Sequence, residues 1–111
     1  MNKPTRFYSN RQEQRVAKVV NGTKTANSGA TPFSKGDVVS DAFLIECKTK
    51  VKATKSFTVK EDWLLKLNEE AFAMGKQGSA LCFDFGERNN NRYYIISERL
   101  FLRLKSYMEE E

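Results

Sequence analysis

Lys35-Gly36-Asp37-Val38-Val39-Ser40-Asp41-Ala42-Phe43-Leu44-Ile45-Glu46-Cys47-Lys48 carries the clearest structural signal in the chain. Asp37 to Val39 and Ala42 to Lys48 read as two strands joined by a turn at Ser40-Asp41. Side chains alternate along a strand, so Phe43, Ile45 and Cys47 share one face. Ala42, Leu44, Glu46 and Lys48 share the other. A two-residue turn at Ser40-Asp41 pairs Asp37 with Leu44. Directly paired residues project to the same face, so Asp37 joins Glu46 and Lys48, diagonal to Glu46. A three-residue loop would break this relation.

A carboxylate at the end of an apolar strand costs free energy unless it is paired or binds a cation. Two readings stay open. Glu46 and Lys48 can form a surface ion pair on an edge strand. Alternatively, Asp37 and Glu46 converge on a hard divalent cation such as Mg²⁺, with Mn²⁺ as a substitute. That cation would acidify a bound water and offset charge on a phosphate. Lys48 would orient the water or stabilise the developing charge. Asp41 falls in the turn and is expected to face solvent.

Upstream, residues 1–8 read as a loose arm. Ser9 and Gln12 form an S-x-x-Q capping box for a helix to about Val20, ended by Asn21-Gly22. Glu13 lies on the stripe formed by Val16, Ala17 and Val20. An acid is unexpected on that core-facing side. It is either favoured there by the helix dipole or the third member of an acidic cluster. Thr23 to Ala30 is polar, with room for a short strand.

Downstream, Thr58 and Glu61 form a second capping box, opening a helix to about Met74 that Gly75 and Gly78 end. Strands are expected over Ser79 to Phe85 and Tyr93 to Ile96, then a helix from Ser97 to about Met108. Trp63, Leu64 and Leu67 read as core. Leu100, Phe101, Leu104 and Met108 also read as core, with a dimer contact as the alternative. A strand that follows a helix can pair parallel to an earlier strand. The expected class is α/β, a mixed central β-sheet flanked by helices, in a single domain spanning 1–111.

Composition narrows the chemistry. The chain has 111 residues and no histidine, which excludes a Ser-His-Asp triad and a His-ligated zinc site. Cys47 and Cys82 form no CxxC motif and are expected to be buried thiols, as in a reducing cytoplasm. The polar N-terminus and the lack of a long apolar run argue against a signal peptide and a membrane span. Residues 1–60 hold 12 Lys/Arg against 4 Asp/Glu, whereas residues 61–111 hold 7 against 10. That asymmetry points to a polyanion at the N-terminal half, against the plainer reading of a solvated basic surface.

Gly36-Asp37-Val38, then Ile45-Glu46-Cys47-Lys48, with eight residues between Asp37 and Glu46, resembles the Asp…Glu-x-Lys core of PD-(D/E)XK nucleases. With the Glu13 helix and Asn27-Ser28-Gly29-Ala30, it looks like the opening of the Holliday junction resolvase branch, over about residues 9–86. The resemblance implies a restriction-endonuclease-like core and Mg²⁺-dependent hydrolysis of DNA phosphodiesters, selective for branched DNA. It implies Asp37, Glu46 and the Cys47 carbonyl as metal ligands, Lys48 as the catalytic lysine and Glu13 as the helix acid. Ser28 would lie beside a phosphate. Lys35, Lys50, Lys52, Lys55, Arg11 and Arg15 are the candidate DNA-binding residues. A homodimer is the expected assembly, because a two-fold symmetric junction needs two active sites. Gly36 stands where the family pattern has proline, and no extra DNA-clamping domain is visible. A nickase, a replication or repair nuclease, and a non-catalytic DNA-binding module are the alternatives.

Overall fold

The element order is helix, three strands, helix, two strands, helix, in a computed structural model that describes residues 5–24, 37–48, 54–86 and 91–110. The elements are α1 (Thr5–Val19), β1 (Thr23–Lys24), β2 (Asp37–Val39), β3 (Phe43–Lys48), α2 (Glu61–Ala73), β4 (Gly78–Phe83), β5 (Tyr93–Ile95) and α3 (Glu98–Met108). The strands form one mixed sheet in the order β1-β2-β3-β4-β5. β3 and β4 are parallel, connected through α2, and every other neighbouring pair is antiparallel. This is the α/β class with a mixed central sheet that the sequence suggests.

The alternation in β3 assigns the two faces. Val38, Ile45, Ala80 and Cys82 pack with Val16 of α1 on one side. Leu44 and Leu81 pack with Leu67 and Ala71 of α2 on the other. Val16, Val38, Leu44 and Leu81 are fully buried, and each such side chain contributes roughly 1.5–3 kcal/mol of apolar burial.

The hairpin differs in register from the sequence expectation. Ser40 N–H donates to the Phe43 carbonyl at 3.0 Å, so the turn is Asp41-Ala42. Ser40 Oγ also accepts from Phe43 N–H, and Lys76 Nζ donates to the Ser40 carbonyl. These bonds pin the turn one residue later than Ser40-Asp41. A one-residue move of a two-residue turn shifts pairing by two, which keeps every side chain on its face. Asp37 therefore lies directly opposite Glu46, not diagonal to it.

Helix starts also differ. α1 begins at Thr5, so Ser9 lies inside the helix and the segment expected to be an arm is partly helical. α2 is capped at Lys60 with no side-chain cap, and Glu61 and Asp62 occupy its first turn. Carboxylates there are favoured by the helix dipole, and Thr58 stands outside the cap. α3 starts as expected, with Ser97 Oγ accepting from Leu100 N–H at 3.1 Å. Asn21-Gly22 ends α1 with divided roles. Asn21 takes the left-handed conformation, φ 57°, which asparagine tolerates better than most residues. Gly22 is needed for closeness, since a Cβ there would sit 2.6 Å from the Val39 carbonyl oxygen. Gly78 does not end α2 but opens β4.

Candidate active site

Asp37, Glu46 and Lys48 stand together on the face covered by α2, at the end of the β2–β3 ladder. Asp37 is only 1 % exposed. Its pKa is pushed up to about 8, first by burial and then by the neighbouring charges of Glu46, Glu70 and Glu13. Lys48 opposes that shift and is the smallest of these influences. The surroundings of Asp37 are thus apolar and acidic, a setting that penalises its charge.

Lys48 is fixed at both ends. Its Nζ lies 3.7 Å from Glu46 Oε2, an ion-pair distance too long for a hydrogen bond. The same ammonium sits 4.3 Å from the Trp63 ring centroid, within cation–π range. Its carbonyl accepts from Gln12 Nε2 at 2.8 Å. Gln12 comes from α1, across the sheet, and also reaches Asp84 Oδ2 at 3.4 Å. Asp84 is tied in turn by accepting from Gly86 N–H.

Glu13 is buried, as its place on the Val16 stripe suggests. It belongs to α1, which covers the sheet face opposite to the one bearing Asp37 and Glu46. It pairs with Lys24, with 3.8 Å between Nζ and Oε1. Burial raises the Glu13 pKa and Lys24 offsets part of that rise. Its charge still reaches Asp37, though less strongly than Glu46 or Glu70.

Cys47 and Cys82 are free thiols directly opposite each other on the parallel strands β3 and β4. A hydrogen bond to Cys82, with burial next, pushes the Cys47 thiol up. The sequence puts both in apolar runs but does not reveal that they are neighbours.

Of the candidate DNA-binding residues, Arg11, Arg15 and Lys55 fall in the described part of the chain. Arg11 and Arg15 line a shallow 230 Å³ groove with Gln14 and Lys18 on α1. Lys55 is exposed on the segment before α2. Ser28, Lys35, Lys50 and Lys52 lie outside the described residues. Asp41 is exposed in the turn, as expected. Tyr93 packs with Phe83 and Phe85 and stays half exposed, while Tyr94 on the other face approaches Cys82.

Three residues around the site were not picked out by sequence as site residues: Gln12, Trp63 and Glu70. Each had a signal. Gln12 precedes Val16 by four, which puts it on the buried stripe of α1. Glu70 follows Trp63 by seven and Leu67 by three, so it holds the same place on α2 that Glu13 holds on α1.

Two carboxylates and a nearby backbone carbonyl are hard oxygen donors of the kind that hold Mg²⁺, which keeps several waters and needs only one or two carboxylates. Among the described residues no group of three or more Cys, Asp or Glu side chains is placed to hold a metal ion. The donor set fits a cation held by two carboxylates and water, and the acidic surroundings of Asp37 suit a positive charge. No family model matches the chain, and neither a curated protein nor a solved structure matches it.

Proposed function

We propose that this protein is a metal-dependent DNA nuclease of the PD-(D/E)XK type. The observation that carries the reading is the direct cross-strand pairing of Asp37 with Glu46, with Lys48 on the same face. Helix, three strands, helix and parallel strand, in that order, also suit the restriction-endonuclease-like core of the family the sequence resembles.

In this reading Asp37 and Glu46 hold Mg²⁺ or Mn²⁺, with the Cys47 carbonyl as a further donor. When bound, the cation lowers the pKa of a water and offsets charge on the scissile phosphate. Lys48 presents its ammonium beside Glu46 and stabilises charge developing on the phosphate oxygens. Trp63 and Gln12 are positioning residues that hold Lys48 from the two sides of the sheet. Arg11, Arg15 and Lys55 bind phosphates without reading sequence. Branched DNA is the proposed substrate and a homodimer the proposed assembly. Among the described residues no helix is long and apolar enough to cross a membrane.

The test is cleavage of four-way junction, flap, duplex and single-stranded DNA after EDTA treatment and Mg²⁺ replenishment. Asp37→Asn and Glu46→Gln are expected to abolish cleavage, since each removes a charged ligand and keeps its shape. Lys48→Ala is expected to cut the rate by 100-fold or more, on the order of losing one charge-stabilising donor, while DNA binding persists. Full activity of Asp37→Asn or Glu46→Gln would rule the site out.

A further inference from the structure

α3 is amphipathic, yet the body of the protein covers only one edge of its apolar face. Leu100 is buried, packed close to Gly78 and Phe43 of the sheet. Arg103 donates to Gln77 Oε1 at 2.9 Å on the same side. The rest of the stripe faces outward. Phe101, Leu104 and Tyr107 are exposed, and Met108 is 87 % exposed. At 100° per residue Phe101, Leu104 and Met108 fall on one seam with the three-four spacing of a paired helix. The sequence expectation that these side chains fill the core fails for all but Leu100, because α3 meets the body at its first turn and then projects past it.

We infer that this seam docks against α3 of a second copy of the chain, antiparallel and two-fold symmetric. The flanking charges select both the partner and the direction. Glu98 and Lys105 are seven residues apart, hence in one column, on the flank that the body leaves free. In an antiparallel pair this flank faces its own copy, and Glu98 meets Lys105 of the second copy twice over. Phe101 then packs beside Leu104 of the second copy. In a parallel pair the same flank would face Leu100 and Tyr107, and the charges would have no opposite partner. The flank is therefore complementary to itself in one direction only. Lys105 already pairs with Glu109 within the helix at 2.8 Å, which places its ammonium along that flank. Exposed Phe72 on α2 borders the groove that α3 makes with the body, a 480 Å³ hollow lined also by Gly78, Leu100 and Arg103. Two three-turn helices make a small interface, so the association is expected in the micromolar range. The inference gives a surface to the homodimer proposed above, whereas Asp37, Glu46 and Lys48 lie within one chain, so a monomeric result would remove the dimer and leave the metal-dependent chemistry to its own test.

Sedimentation equilibrium from about 1 µM to about 1 mM is the test, because that span brackets a micromolar dimer. The expected result is a monomer–dimer equilibrium. Leu104→Glu should weaken it by at least 100-fold, on the order of a hot-spot loss, with an unchanged circular dichroism spectrum. Glu98→Lys and Lys105→Glu should each weaken it several-fold, and the double exchange should restore it, since the opposed pairs are rebuilt with their signs reversed. A monomer throughout, or a dimer indifferent to Leu104→Glu, would overturn the inference. So would a failure of the double exchange to restore pairing. Co-sedimentation with anionic phospholipid vesicles by a protein that stays monomeric would show a membrane surface as the occupant instead, and would equally overturn it.

Discussion

Asp37→Asn is expected to stabilise the metal-free protein by an amount that grows with pH. The pKa of Asp37 rises from 3.8 to about 8 on folding. Below about pH 4 the carboxyl is protonated in both states and contributes no difference. Between about pH 4 and pH 8 the unfolded chain releases this proton and the folded chain keeps it. The unfolded state then binds fewer protons, so stability falls as pH rises, by up to about 1.4 kcal/mol per pH unit. Over roughly four units the ceiling is about 6 kcal/mol, reached above pH 8. That is a large share of the ~5–15 kcal/mol that holds a domain together. Asparagine keeps the shape and has no proton to lose. Urea denaturation in EDTA at intervals from about pH 4 to pH 9 would measure this, read as the gap between variant and parent. The gap should be near zero at the acid end and several kcal/mol at the alkaline end. Saturating Mg²⁺ should narrow it, because a bound cation favours ionised Asp37 in the parent alone. A gap independent of pH would refute the reasoning, since burial would not be penalising the charge.

Two further outcomes test how the site is framed. Gly22→Ala is expected to destabilise by roughly 1–3 kcal/mol in thermal or urea unfolding, as overpacking does, because its Cβ would meet the Val39 carbonyl oxygen at 2.6 Å. Gln12→Ala removes the amide that reaches Lys48 O and Asp84 Oδ2. It should cost about 1–3 kcal/mol, the penalty for a lost buried hydrogen bond. In the proposed nuclease it should also lower the cleavage rate more than DNA affinity, as displacement of Lys48 would.

The faces of the central hairpin were legible in the sequence because side-chain alternation has a period of two. An error of two in register left Asp37, Glu46 and Lys48 on one face all the same. The turn lies one residue later than the Ser-Asp propensity suggests because Ser40 closes it with its backbone and hydroxyl, and neither bond is written in that propensity. The starts of α1 and α2 differ from their capping boxes for a related reason. S-x-x-Q and T-x-x-E mark possible starts, but α1 extends past its box and α2 relies on two acids near its dipole. The core role given to Phe101, Leu104 and Met108 failed because periodicity gives a face and not what covers it. The sequence marks Gln12 as a capping residue and Trp63 as core, but not their contacts with Lys48, since its carbonyl and ammonium are 36 and 15 residues away in sequence.

The plain reading of Glu46 and Lys48 as an ion pair accounts for those two residues and gives Asp37 no role. The pair exists, at 3.7 Å, and Trp63 supports it. A chain that needed only that pair would gain by an apolar residue at position 37, where the side chain is buried beside Glu46 and within reach of Glu70 and Glu13. Replacing a buried polar group with a well-packed apolar one is often neutral or stabilising. Lys48 opposes the rise in the Asp37 pKa, but its influence is the smallest of those acting on that carboxyl. In the proposed nuclease a divalent cation shared with Glu46 would add positive charge beside Asp37 and make this acid a ligand. The two arms of the pH experiment, with and without Mg²⁺, separate this account from a merely tolerated buried acid.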